Sequence, residues 1–261
     1  MSKDHSSGFV TSETHHGITT IEFHHPQGNS LPGKLLEELA KEIHFAGNHA
    51  ETKVLILRSS GEKAFCAGAS FDELVAIQTE QDGHKFFNGF AKVINAMRKC
   101  PKFIIARVHG KCIGGGVGLA AAADYAIALE GADVKLSELS IGIGPFVIGP
   151  AVERKIGTSA FAQLSIDAAS WRNSDWARRK GLYAELHPSV ESMDEFLNKL
   201  ADSLAHSSPE AMAEIKKMLW KGTEHWDELL AERAKISGRL VLSSFTKKAI
   251  ESFKSKTSKV S

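Results

Sequence analysis

His109-Gly110-Lys111-Cys112-Ile113-Gly114-Gly115-Gly116-Val117-Gly118-Leu119 joins an apolar run, Phe103 to Val108, to a small-residue stretch that ends at Asp124. The apolar run reads as a buried strand and the small residues as a helix, so the glycines form a strand-to-helix connection. Three consecutive glycines lose much conformational entropy on folding. A chain that carries them needs positive φ angles or a ligand held against its backbone. Nucleotide binding is the rival reading, and the spacing fails it. There is no G-x-G-x-x-G followed by an acid on the next strand, and no G-K-[ST].

Working outward, the first half alternates strand-like and helix-like segments. Ile18 to Phe23 and Val54 to Leu57 read as strands, and Leu35, Leu36, Leu39, Ile43 and Ala46 repeat at helical spacing. Helical stretches at Phe71 to Ile77 and Phe86 to Met97 precede the Phe103 strand, and strands at Tyr125 to Leu129 and Val134 to Leu136 follow the glycines. Beyond Pro145 helices dominate: Ala151 to Ile156, Ala160 to Ile166, Ser174 to Lys180, Met193 to Ala205, Pro209 to Leu219 and Trp226 to Leu242. Only Tyr183 to Leu186 interrupts them as a strand. An α/β core followed by a helical C-terminal region results. The Lys/Ser-rich tail, Lys254 to Ser261, is expected to fray.

Two further segments carry chemistry. Lys63-Ala64-Phe65-Cys66-Ala67-Gly68-Ala69-Ser70-Phe71 follows a buried strand and its loop, and its small residues allow close backbone approach at a helix start with unpaired N–H groups. Alone it is no more than a tight strand–helix turn. In Lys135-Leu136-Ser137-Glu138-Leu139-Ser140-Ile141-Gly142-Ile143-Gly144-Pro145 an acid closes an apolar strand before a Gly/Pro turn. Apolar surroundings would raise the pKa of Glu138 and suit it to proton transfer near neutral pH.

Composition excludes several classes. Lysine and arginine total 32 against 31 acids, a net charge of +1, so no nucleic-acid face is implied. Cys66, Cys100 and Cys112 cannot all pair and read as reduced thiols of a cytoplasmic protein. Met1 to Gly8 lacks the apolar core of a secretory signal, and no apolar run is long enough to span a membrane. His15, His16, His24 and His25 match no metal-ligand spacing and read as surface histidines.

Together the three segments resemble the enoyl-CoA hydratase/isomerase (crotonase) family. K-A-F-C-A-G-A, G-G-G-x-G-L-A-x-A-A-D and S-E-x-x-x-G-x-x-P stand in the family's order and separations, and the likeness runs from about Gly17 to Phe253. N-S-L-P-G and G-A-S-F-D-E-L look most like a branch labelled methylglutaconyl-CoA hydratase-like. The resemblance implies an α/β fold with a crotonase-like (ββα)n spiral core. Its domain division would be a disordered N-terminus over 1–8, the spiral over 9–195, and a C-terminal helical trimerisation or lid region over 196–261. It also implies a homotrimer or dimer of trimers; apolar Leu219, Trp220, Trp226, Leu229, Leu230 and Ile236 would seek cover there.

The same resemblance assigns roles. The N–H groups of Ala69 and Gly115 would form an oxyanion hole for a thioester enolate, and Glu138 would be the acid/base. Ala67, Gly68, Ala69, Phe71, Gly114 and Gly115 would line the acyl-CoA path, and Phe253 and Lys256 would meet the adenosine phosphate end. Asp124 would be structural. Coenzyme A enters as part of the substrate, and neither a cofactor nor a metal is expected. One departure is plain: hydratases with two glutamates carry an acid where this chain has Gly118. Residue chemistry then favours double-bond isomerisation, whereas the branch favours hydration, with Asp72 or Glu73 as substitutes unless they are solvated helix residues. A non-catalytic acyl-CoA-binding relative is the alternative of another class.

Overall fold

The structure is a computed structural model that describes residues 8–257, with side chains described as far as residue 252. Readings placed on residues 1–7, on 258–261, and on the side chains of Phe253 and Lys256 lie outside it.

Strands come in pairs, each pair followed by a helix. β1 (Phe9–His15), β2 (Ile18–His24) and α1 (Gly33–Asn48) open the chain. β3 (Val54–Ser59) and β4 (Ala64–Cys66) lead into α2 (Phe71–Ala76) and α3 (Glu80–Lys99). β5 (Phe103–Val108) and β6 (Lys111–Ile113) lead into α4 (Gly115–Ala122). β7 (Tyr125–Leu129), β8 (Val134–Lys135) and a 3-10 turn (Glu138–Ile141) lead into α5 (Gly149–Ile166). The first strand of each of the last three pairs joins a six-stranded sheet, β1-β2-β3-β5-β7-β9, and the second joins a three-stranded one, β4-β6-β8. Only β1 runs antiparallel to its neighbour. The chain thus winds as the (ββα) spiral that the sequence implied.

The continuous apolar strands follow from burial on both faces. Leu55, Leu57, Ile104 and Ala106 face α1 and α3 in the main core. Their neighbours Val54, Ile56 and Ile105 face Met193, Leu197 and Ala201 of α7 (Val190–Ala205). α6 (Ser174–Arg179), β9 (Glu185–His187), α8 (Pro209–Leu219), α9 (Trp226–Leu240) and α10 (Ser244–Thr257) complete the chain.

Several sequence expectations need correction. β4 and β6 lie in stretches read as loop, because three residues are too few to show alternation. The edge strand β1 escaped for a related reason, since most of its side chains are exposed. α3 begins at Glu80, where Thr79 and Asp82 form a capping box ahead of the first apolar turn. Helix α10 runs through residues 254–257 of the segment expected to fray, and 258–261 lie outside the described residues. Gly157, at φ +77°, kinks α5 between its two expected halves. Tyr183 is buried outside any strand, its hydroxyl donating to the Ala132 carbonyl at 3.0 Å. His24 and His25 are half-buried, with Nδ1 of each sealed from solvent, so of these four only His15 and His16 are surface histidines. Trp220, Trp226 and Leu230 find cover within the chain, while Leu219 stays exposed. No helix among the described residues is long and apolar enough to cross a membrane.

Candidate active site

The three glycine-bearing segments meet at one cavity of about 500 Å³. The bond pattern shows how the first is held. Leu31 N–H donates to the Gly68 carbonyl at 2.7 Å, Ser70 N–H donates to the Leu31 carbonyl at 3.0 Å, and Ser30 Oγ donates to the Ala69 carbonyl at 2.9 Å. These contacts fix the peptides on both sides of Ala69. The Ser70 side chain then caps α2, accepting from Glu73 N–H at 3.3 Å. Asn29 supports the turn from below, its amide donating to the Ser60 and Ala64 carbonyls. The Ala69 N–H makes no hydrogen bond among the described residues.

The triple glycine answers to close packing on three sides. Gly114 has φ +52° and ψ −115°, a conformation that side chains other than glycine's rarely adopt. A methyl group on Gly115 would collide with the Phe90 ring, and one on Gly116 with the Cys66 carbonyl. Gly115 N–H stands at the start of α4, where no intrahelical acceptor exists, and it has no partner among the described residues. A Cβ on Gly68 would lie 3.5 Å from that nitrogen, so the two unpaired amides belong to touching segments. A helix start and a turn together make a preorganised pair of donors for a developing oxyanion.

Glu138 completes the group. A Cβ on Gly114 would stand 3.0 Å from its Oε1, which puts the carboxyl within reach of the same backbone. The residue as a whole is half-buried, but Oε2 is sealed from solvent and has no hydrogen-bond partner among the described residues. Burial pushes the carboxyl up to about 7, with a backbone hydrogen bond pulling weakly the other way. A carboxyl at that value exchanges protons in either direction near neutral pH. It is the only acidic residue lining the cavity among those described.

The position of the missing acid is filled. A Cβ on Gly118 would lie 2.6 Å from Ile148 Cγ2 and 2.8 Å from its Cβ. Neither Asp72 nor Glu73 lines the cavity. Both are exposed, Asp72 accepting from Gln27 Nε2 at 3.0 Å and Glu73 from Gly33 N–H at 2.8 Å at the start of α1. Ala67, Gly68, Ala69, Phe71, Gly114 and Gly115 all line the cavity. Sequence reasoning missed Ser30, Phe90 and Ile148. Helical spacing of Phe86, Phe87 and Phe90 offered a signal for the second; nothing local marks the other two. A separate cavity of about 390 Å³, where Arg154 and Trp226 meet, shares no residue with this one. No cluster of His, Cys, Asp and Glu that could hold a metal occurs among the described residues. Buried Cys66, whose thiol is pushed up to about 12 by burial, is chemically quiet.

Comparison with known proteins identifies the family. The profile of the family "Enoyl-CoA hydratase/isomerase" matches residues 13–259. A "Probable enoyl-CoA hydratase" of Bacillus subtilis is 27% identical over 238 residues, covering 90% of this chain and 92% of its own. The peroxisomal "Delta(3,5)-Delta(2,4)-dienoyl-CoA isomerase" of Arabidopsis thaliana is 26% identical over 211 residues, 75% and 74% of the two chains. In fold, the chain matches the crystal structure of enoyl-CoA hydratase from Bacillus halodurans with a TM-score of 0.86 at 23% identity, covering 94% and 99%. With a family profile spanning nearly all of the spiral and the helices that cover it, the chain belongs to the enoyl-CoA hydratase/isomerase family and is an acyl-CoA enzyme.

Proposed function

We propose that this enzyme moves a carbon–carbon double bond of an enoyl-CoA between the β,γ and α,β positions, with Glu138 as its one acid/base. The observation that carries the reading is the solitary carboxyl of Glu138, whose sealed Oε2 has no partner among the described residues, in a cavity whose other acid position is packed shut by Ile148. The Glu138 carboxylate takes a proton from Cα of a 3-enoyl thioester, and the C–H electrons enter the C=C–O⁻ system of a dienolate. The amides of Ala69 and Gly115 donate to that oxygen; loss of one such donor in a preorganised site typically costs about 3–4 kcal/mol of transition-state stabilisation. Protonated Glu138 then returns its proton at Cγ. Nothing is consumed, and one group suffices because it is acid and base in turn.

Hydration would need a second group to orient and deprotonate water. It remains the second reading because a relative aligned over most of this chain is named a hydratase. Purified protein incubated with matched 2-enoyl- and 3-enoyl-CoAs, with products followed by mass, separates the two. Isomerisation without a gain of water is expected. Rapid addition of water to a 2-enoyl-CoA would overturn the reading, and turnover of neither would favour a binding-only relative.

A further inference from the structure

Trp171 stands in the loop between α5 and α6 and is 39% exposed, although large exposed aromatics are uncommon. Lys111 Nζ lies 4.9 Å from the ring centroid and Lys135 Nζ 5.8 Å from it. Two ammonium groups thus share one indole. They come from adjacent strands, β6 and β8, whose pairing sets Ile113 opposite Lys135. The loop is pinned to β8 by a bridge in which Val134 and Arg172 exchange both backbone hydrogen bonds, at 2.8 and 2.9 Å. Lys135 is further fixed by donating to the Ala169 carbonyl at 2.7 Å.

Like charges held together are unfavourable unless something of opposite sign joins them. Among the described residues neither lysine is paired with a carboxylate. The acid of this loop, Asp167, is taken by Arg172 at 2.9 Å and by Ser170 at 2.8 Å. Nor does Glu138 answer Lys135, since no ion pair joins the two among the described residues. Trp171 and Lys135 both line the cavity that holds Glu138, and Lys135 is its only cationic lining residue among those described.

We infer that Lys111, Lys135 and the Trp171 ring form a subsite for an anionic group of the thioester substrate, a phosphate of its nucleotide end or a carboxylate at the far end of its acyl chain. The indole offers a flat apolar surface beside both cations, and an anion bound by the two ammonium groups would offset their repulsion. The inference rests on the thioester reading above but not on whether the reaction is isomerisation or hydration.

Binding of three probes to the wild type and to Lys111→Ala/Lys135→Ala, measured by calorimetry, tests it. The probes are butyryl-CoA, butyryl-pantetheine and glutaryl-CoA. A phosphate in the subsite makes the double variant lose about 5–10-fold on both CoA thioesters and nothing on butyryl-pantetheine. A carboxylate makes it lose that factor on glutaryl-CoA alone. In either case Lys111→Arg/Lys135→Arg retains affinity, and Trp171 fluorescence changes on binding. Unchanged affinity for all three probes, or equal weakening of all three, overturns the subsite while wild-type binding of butyryl-CoA keeps the thioester reading alive. Failure of the wild type to bind any probe overturns both.

Discussion

Asp124 and Glu138 are two buried carboxyls on the same stretch of chain, and their surroundings could hardly differ more. Asp124 Oδ2 accepts from Lys216 Nζ and from Ile104 N–H, each at 2.8 Å, and Oδ1 accepts from Trp220 Nε1 at 2.9 Å. Lys216, 3% exposed, also donates to the Lys102 carbonyl at 2.7 Å. The cluster ties α8 to the start of β5, and every lone pair that matters is engaged. Glu138 has a sealed Oε2 with no donor among the described residues. A buried acid that is fully bonded is a fastener, with nothing left to offer a substrate. One left without partners is destabilising at neutral pH, and its charge is free to follow chemistry.

The largest effect should come from breaking the fastener. Asp124→Ala leaves the Lys216 ammonium buried and unpaired, which typically destabilises by about 3–5 kcal/mol. Denaturant melts should show this loss, while turnover per folded molecule stays near wild type. A variant as stable as the wild type would mean that the ion pair and the indole bond contribute little net stability.

Glu138→Gln should show the opposite signature. Turnover is expected to fall at least ~10²-fold with acyl-CoA binding nearly intact, because the amide keeps the size but takes no proton. Its stability should not fall, and pH sharpens the point. The carboxyl rises from 4.5 to about 7 on folding. Between those values the folded state holds a proton that the unfolded state has released. This contribution to stability is therefore present below about 4.5 and lost as pH rises through 7. The glutamine variant lacks it, so its melting temperature should gain on the wild type across that window and run parallel above it. Unchanged activity in the variant would remove the catalytic assignment.

The smallest effect, and the sharpest test of the filled acid position, concerns Gly118. Gly118→Glu alone should cost about 1–3 kcal/mol through overpacking against Ile148 and add no hydration. Gly118→Glu with Ile148→Ala frees the space, and a measurable rate of water addition by the pair but not by the single variant would show that Ile148 excludes hydration. Equal hydration by both would show that it does not.

Much of the fold was legible because long periodic segments announce themselves. The apolar runs at Val54 and Phe103 are buried on both faces, and α1 and α9 repeat at helical spacing. β4 and β6 were not legible. Three residues carry no period, and their pairing depends on strands contributed by the next turn of the spiral. The site divides in the same way. Ala69, Gly115 and Glu138 were singled out from local composition and from the resemblance of three ordered motifs. Phe90 and Ser30 were invisible as site residues, since one is an aromatic at core spacing and the other a serine beside a turn.

The sequence by itself determined the alternation of strands and helices, the three small-residue turns, the family, and the absence of an acid at 118. A glycine there could equally have left a hole for water or for a swinging Asp72. Only the tertiary structure decided between these, because the deciding atom belongs to Ile148, thirty residues along the chain, where it would stand 2.6 Å from a Cβ at position 118. The same holds for the two acids. Each is one letter followed by apolar neighbours, and what separates fastener from reactive group is which donors the fold brings to the carboxyl. Asp124 meets Lys216 and Trp220 across more than ninety residues of chain, whereas Glu138 sits beside the Gly114 backbone with no donor to its Oε2 among the described residues.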